Sequence, residues 1–92
     1  MPAPPLNPPV DDAAPSDAAL TDYDRAHLIT YLRLLDAEAE QADWREVAAL
    51  VLGFDVTKNA ARAEASWRSH LARARWISAS GYRHLLKDSR QT

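Results

Sequence analysis

The residues from Asp43 to Gly53 constrain the fold of this 92-residue chain more than any other stretch. Asp43, with Glu46 three positions on, is a helix-start signal, because the carboxylate of an N-cap accepts bonds from the otherwise unpaired amides of the first turn. Gly53, one of only two glycines, supplies the left-handed residue that closes a helix. Between them Trp44, Val47, Ala48 and Val51 share one face. A short capped helix, a turn and a longer arginine-bearing helix is the outline of a helix-turn-helix.

The flanking segments complete a small all-α domain. Thr21 is an N-cap, with Asp24 in the first turn. Leu28, Tyr31, Leu32, Leu35 and Ala39 then follow the i, i+3, i+4, i+7, i+11 spacing of one face, which predicts a first helix over about 22–40. Helix two runs from Trp44 to about Leu52. The link that follows is apolar at Phe54 and Val56, whose side chains are expected to fold back on the core. Thr57 or Asn59 caps a third helix extending to about Ala79, with Ala60, Ala63, Trp67, Leu71, Ala74 and Ser78 on its apolar face. Gly81 ends it, and Tyr82, Leu85 and Leu86 are expected to form a short closing helix. Four to six residues separate Gly53 from helix three, against the usual three to four, and the apolar residue expected six after Gly53 falls on Asn59. The turn is therefore extended. No segment alternates with period two, and no hairpin signal appears.

All six prolines lie at or before position 15, and no aromatic precedes Tyr23. Residues 1–19 are accordingly expected to be a disordered, partly polyproline tail before a domain at 20–88, with 89–92 frayed. The start has neither the basic residues nor the apolar run of a signal peptide. No apolar run approaches the length of a membrane span, so a cytoplasmic protein is expected.

Catalytic and metal chemistry find no support. There is no cysteine. His27, His70 and His84 fall on separate elements without a second histidine at i+4, short of the three or four ligands a metal needs. No glycine-rich loop is present to cradle a phosphate, and no cofactor or small-molecule ligand is indicated.

Charge is strongly partitioned. Residues 1–53 carry ten acids and three bases; residues 54–92 carry eight bases and three acids. The basic half offers Lys58, Arg62, Arg68 and Arg73 as phosphate contacts along helix three. Base contacts specify, however, and base readers sit near the start of a recognition helix. There the chain reads Ala60-Ala61-Arg62-Ala63-Glu64-Ala65, in which only Arg62 suits a guanine edge. The balance favours a protein partner over DNA. Trp76, off the stripe that contains Trp67, is either an interface anchor beside Arg75 or packing under the closing Tyr82 segment.

The run Tyr31-Leu-Arg-Leu-Leu-Asp, then Asp43-Trp-Arg-Glu-Val-Ala, Leu52-Gly53 and the closing Gly81-Tyr-Arg-His-Leu-Leu86 resembles a proteobacterial family of extended-turn helix-turn-helix regulators of integrative and conjugative elements. The resemblance covers about residues 20–87. It implies two roles. Many members are DNA-binding halves of activators. Single-domain acidic members are antiactivators, which bind the N-terminal domain of an FseA-type activator and block element excision and transfer. The proline-rich tail and acidic balance here go with the second role. Under it Arg33, Asp36, Trp44 and Arg45, with Tyr82 and Arg83, are the expected partner contacts. Asp36 and Arg45 have a purely structural alternative, an ion pair between helices one and two. Under the first role the contacts are Lys58, Arg62, Arg68 and Arg73.

Overall fold

The computed structural model describes residues 9–81. Within them the chain is all-α: α1 (Asp22–Ala26), α2 (Leu28–Ala39), α3 (Trp44–Leu50) and α4 (Ala60–Trp76), followed by a π-helical turn at Ile77–Gly81. α2 and α3 both pack against α4, which is the central element of the domain. The closing segment expected at Tyr82, Leu85 and Leu86, and the end at 89–92, lie outside the described residues.

The expected first helix is divided. Thr21 and Asp24 form a reciprocal capping box, with Asp24 N donating to Thr21 Oγ1 (3.1 Å) and Thr21 N to Asp24 Oδ2 (2.9 Å). The helix breaks five residues later at His27, whose backbone sits at φ −112°, ψ 20°. The His27 ring turns back: Nδ1 lies 2.8 Å from the Tyr23 carbonyl and Nε2 2.9 Å from the Pro9 carbonyl. A polar side chain engaging the preceding turn and an outside segment is a recognised cause of helix kinks.

The break and the restart at Leu28 come with a shifted apolar stripe. α2 buries Thr30, Tyr31 and Leu34, whereas Leu32, expected on the core face, is 61 % exposed. α2 then ends in a Schellman motif. Gln41 N donates to Glu38 O (3.0 Å) and Ala42 N to Ala37 O (3.0 Å), with Gln41 left-handed at φ 59°. No glycine marks that stop, so it has no local signature in the sequence.

α3 starts as expected at Asp43, whose Oδ1 accepts from Arg45 N at 2.8 Å. Its exit uses Gly53 at φ 78°, which lets Phe54 N reach back to Ala48 O (3.0 Å). A Cβ added to Gly53 would meet nothing within 4 Å, so only backbone conformation calls for glycine here. The long turn is organised by Asp55, whose side chain accepts from Thr57 N (3.1 Å) and Thr57 Oγ1 (2.5 Å). With Thr57 so engaged, Asn59 is the N-cap of α4, accepting from Arg62 N at 3.0 Å. Phe54 and Val51 pack on the edge of the core.

The core proper is Leu20, Tyr31, Leu34, Val47, Leu52, Leu71, Ala74 and Ile77, with Trp67 and Trp76 partly buried against it. Trp67 stacks obliquely on Trp44 (ring centroids 6.1 Å apart), joining α3 to α4.

A polar centre adjoins this core. Asp24 is fully buried and receives Arg73 Nε at 3.0 Å and Nη2 at 2.6 Å, plus Tyr31 Oη at 2.9 Å. Burial alone would raise the Asp24 carboxyl; the Arg73 guanidinium, the Thr21 amide and the Tyr31 hydroxyl outweigh it and hold the carboxyl at about 2. His70 is fully buried too, with Nε2 2.6 Å from Tyr23 Oη and Nδ1 2.8 Å from Ser66 O. The carbonyl only accepts, so Nδ1 carries the proton and Tyr23 donates to Nε2. Burial pushes the His70 imidazole below its usual value of 6.5.

Both groups are depressed in the fold, so both contribute stability at high pH that acid removes. The His70 contribution is complete above pH 6.5 and falls as pH drops below it. The Asp24 contribution, about 2 kcal/mol from a carboxyl moved from 3.8 to about 2, is complete above pH 4 and is lost towards pH 2. Urea midpoints measured from pH 8 to pH 2 are expected to fall in these two stages, with His70→Gln removing the first.

Candidate nucleic-acid interface

α4 presents three faces, and the spacing of its residues decides what each does. Ala63, Ser66, His70, Leu71 and Ala74 point inward and are buried. Ala61, Ala65 and Ala72, with Arg68 and Arg75, form an exposed outer face. The third flank is covered by residues 11–19, part of the stretch expected as a tail. Ser66 Oγ donates to Asp11 O (3.1 Å), Ala14 N to Ser69 Oγ (2.8 Å), and Arg73 to Asp17 O (2.6 Å) and Ala19 O (3.0 Å). Asp11 N also donates to Tyr23 Oη at 3.0 Å. The segment thus lies along α4 as a strap without helix or strand, its main-chain groups bonded to side chains of α4.

The arginines of α4 divide by environment. Arg62 pairs with Asp12 of the strap, Nε at 2.8 Å and Nη2 at 2.6 Å from Oδ1. Arg68 pairs with Glu64 one turn earlier at 2.6 Å, and Arg75 with Glu38 of α2 through Nε at 3.2 Å. These three are exposed. Arg73 is not: its side chain is 5 % exposed, locked to Asp24, with its Cζ 4.1 Å from the centroid of the Trp76 ring. The sequence groups Arg73 with Lys58, Arg62 and Arg68 as DNA contacts, and the structure corrects this. A guanidinium spent on a buried carboxylate and two carbonyls has no edge to offer a phosphate. Trp76, under Arg73 and against the core, takes the packing alternative, although its expected cover at Tyr82 lies outside the described residues. Lys58 is exposed just ahead of α4, at the end of the turn.

The residues expected to meet a protein partner fall into two separate pairs. Arg33 and Asp36 are exposed on α2. Trp44 is half-buried against Trp67 on α3, with Arg45 extended over its ring (Cζ 5.0 Å from the centroid). Arg45 pairs with Asp43 at 3.7 Å, and no bond joins it to Asp36, so the expected ion pair between the two helices is not formed. Tyr82 and Arg83 lie outside the described residues. The fold makes two pairings that have no local signal: Asp12 with Arg62 across 50 positions and Asp24 with Arg73 across 49.

No group of three or more potential metal ligands occurs among the described residues, and none of their helices is long and apolar enough to cross a membrane. No individual characterised protein matches the chain. A family model does, over residues 7–87, which takes in both the strap and the four helices. That family is the RovC DNA-binding domain, described as a DNA-binding domain of a T6SS transcription factor. With so much of its length matched, the chain belongs to this family of transcription-factor DNA-binding domains.

Proposed function

We propose that this protein binds duplex DNA through the outer face of α4 and acts in transcriptional control. One observation carries the reading. The exposed positions of α4 between Ala61 and Arg75 are all alanine or arginine, with the partly buried Glu64 paired to Arg68 beside them, so the helix backbone can approach another surface closely while Arg68 and Arg75, with Lys58 ahead of the helix and Arg62 at its edge, supply positive charge. Family membership supports the same direction, against the preference for a protein partner that composition suggests.

Fluorescence anisotropy with a labelled duplex, repeated from low to moderate salt, tests it. Binding is expected to weaken linearly in log–log form with a slope set by the number of phosphates met. Arg68→Ala is expected to reduce that slope by about 1 and to weaken binding about equally on all sequences. A wild-type protein that retains no duplex at low salt would sink the proposal.

A second reading is favoured by a specific feature: each of the four arginines of α4 already has a carboxylate partner within the chain. Such internal neutralisation suits a domain that keeps the helix-turn-helix shape without gripping phosphate. On that reading the protein is an antiactivator like QseM, which the sequence resembles, and blocks conjugative-element transfer by occupying the N-terminal domain of an FseA-type activator. Arg33, Asp36, Trp44 and Arg45 would form the contact. A pull-down with that activator domain at micromolar concentration decides it, and absence of a complex would rule it out.

A further inference from the structure

We infer that Arg62 reads a guanine edge in the major groove, and that Asp12 of the strap is the positioning residue that aims it. The inference rests on the DNA-binding reading above and deepens it.

Arg62 is the third residue of α4, within the first turn, from which recognition helices read bases. Three elements restrain it. Its backbone amide is held by Asn59 Oδ1 at 3.0 Å, its guanidinium by Asp12, and the face of that group by the Phe54 ring, whose centroid is 5.5 Å from Cζ. Phe54 is placed by the turn after Gly53, and Asp12 by the strap, which is tied down on either side at Asp11 and Ala14. The side chain is nevertheless 56 % exposed.

The donor count gives the ligand. A guanidinium has five N–H groups in a rigid plane. A single Asp12 oxygen takes the Nε edge, with Nε at 2.8 Å and Nη2 at 2.6 Å. The Nη1 hydrogens and the outer hydrogen of Nη2 remain, and they lie side by side at the far end of the fork. That end-on pair matches the O6 and N7 acceptors of guanine. Charge points the same way. Arg62, Arg68 and Arg75 each face a carboxylate, but Asp12 is far the most exposed of the three acids, at 66 % against 35 % for Glu64 and 36 % for Glu38, so a phosphate is repelled most strongly at Arg62. A neutral acceptor edge is not repelled in this way. Arg68 and Arg75 are left as the phosphate contacts.

The full-length protein is used to enrich duplexes from a randomised library. Anisotropy is then read on the enriched duplex and on a scrambled one, for wild type, Asp12→Asn and Arg62→Lys. Asp12→Asn is expected to bind the scrambled duplex a few-fold more tightly, because a negative charge is gone, and the enriched duplex more weakly, because Arg62 is no longer aimed. Arg62→Lys, which cannot make the paired contact, is expected to lose roughly 5- to 100-fold of discrimination at one guanine. The Asp12–Arg62 pair is exposed, and unchanged melting curves establish that both variants fold. If Asp12→Asn raises affinity for both duplexes alike, Asp12 merely masks charge and the inference fails. It fails as well if Arg62→Lys keeps the guanine preference, or if wild type binds duplex without enriching any sequence; in those cases DNA binding itself still stands. If no duplex is bound at all, both readings fall together.

Discussion

Replacing Arg73 with methionine is expected to unfold most of this protein at room temperature. The substitution keeps much of the side-chain volume but leaves Asp24 fully buried without its cation. Removing one partner of a buried ion pair costs about 3–5 kcal/mol, since the remaining charge can neither leave nor be solvated. A domain of this size has a net stability of about that magnitude. The loss extends beyond the pair, because Arg73 also holds the strap through the carbonyls of Asp17 and Ala19 and lies over Trp76. Circular dichroism during urea titration measures it. Arg73→Met with Asp24→Asn is expected to recover part of the stability, because no unpaired charge is then left inside. A single variant that melts with wild type would show that the pair is not what orders this centre. The prediction also separates structure from binding: Arg73→Met acts through the folded fraction, whereas Arg68→Ala acts on the salt slope of a protein that remains folded.

Leu34→Ala is expected to cost about 3 kcal/mol, the middle of the range for deleting a fully buried leucine. Leu34 is 1 % exposed and belongs to the core cluster that joins α2, α3 and α4. The matched control is Leu32→Ala, two positions away and 61 % exposed, expected to shift stability by less than about 0.5 kcal/mol. Thermal melts of the two variants decide which leucine faces the core. Equal losses would mean that α2 is rotated from the orientation described here.

That pair of leucines also shows where local pattern stops being informative. Leu28, Ile29, Leu32, Leu34 and Leu35 support more than one overlapping stripe, and periodicity alone selected the one containing Leu32. The choice belongs to Tyr31, whose hydroxyl is tied to Asp24, and to the surfaces of α3 and α4 that receive Leu34. The candidate interface divides in the same way. The alanine-rich start of α4 and Arg62 within it were legible, because they depend on neighbours in the chain. The burial of Arg73 and the pairing of Arg62 with Asp12 were not, because their partners lie about fifty residues away and no spacing rule reaches that far.

What the sequence determined by itself is therefore set within a turn or two: the caps at Thr21 and Asp43, a third cap at Thr57 or Asn59, the left-handed stop at Gly53, the all-α class and the extended turn. These follow from bonds between near neighbours and from which residues tolerate a given backbone. Tertiary structure alone decided which arginine is structural and which is presented, which leucine is core, and that residues 11–19 lie along α4. Those outcomes depend on how buried charge finds a partner and how exposed amides find acceptors. Such pairings exist only once distant segments have been brought together.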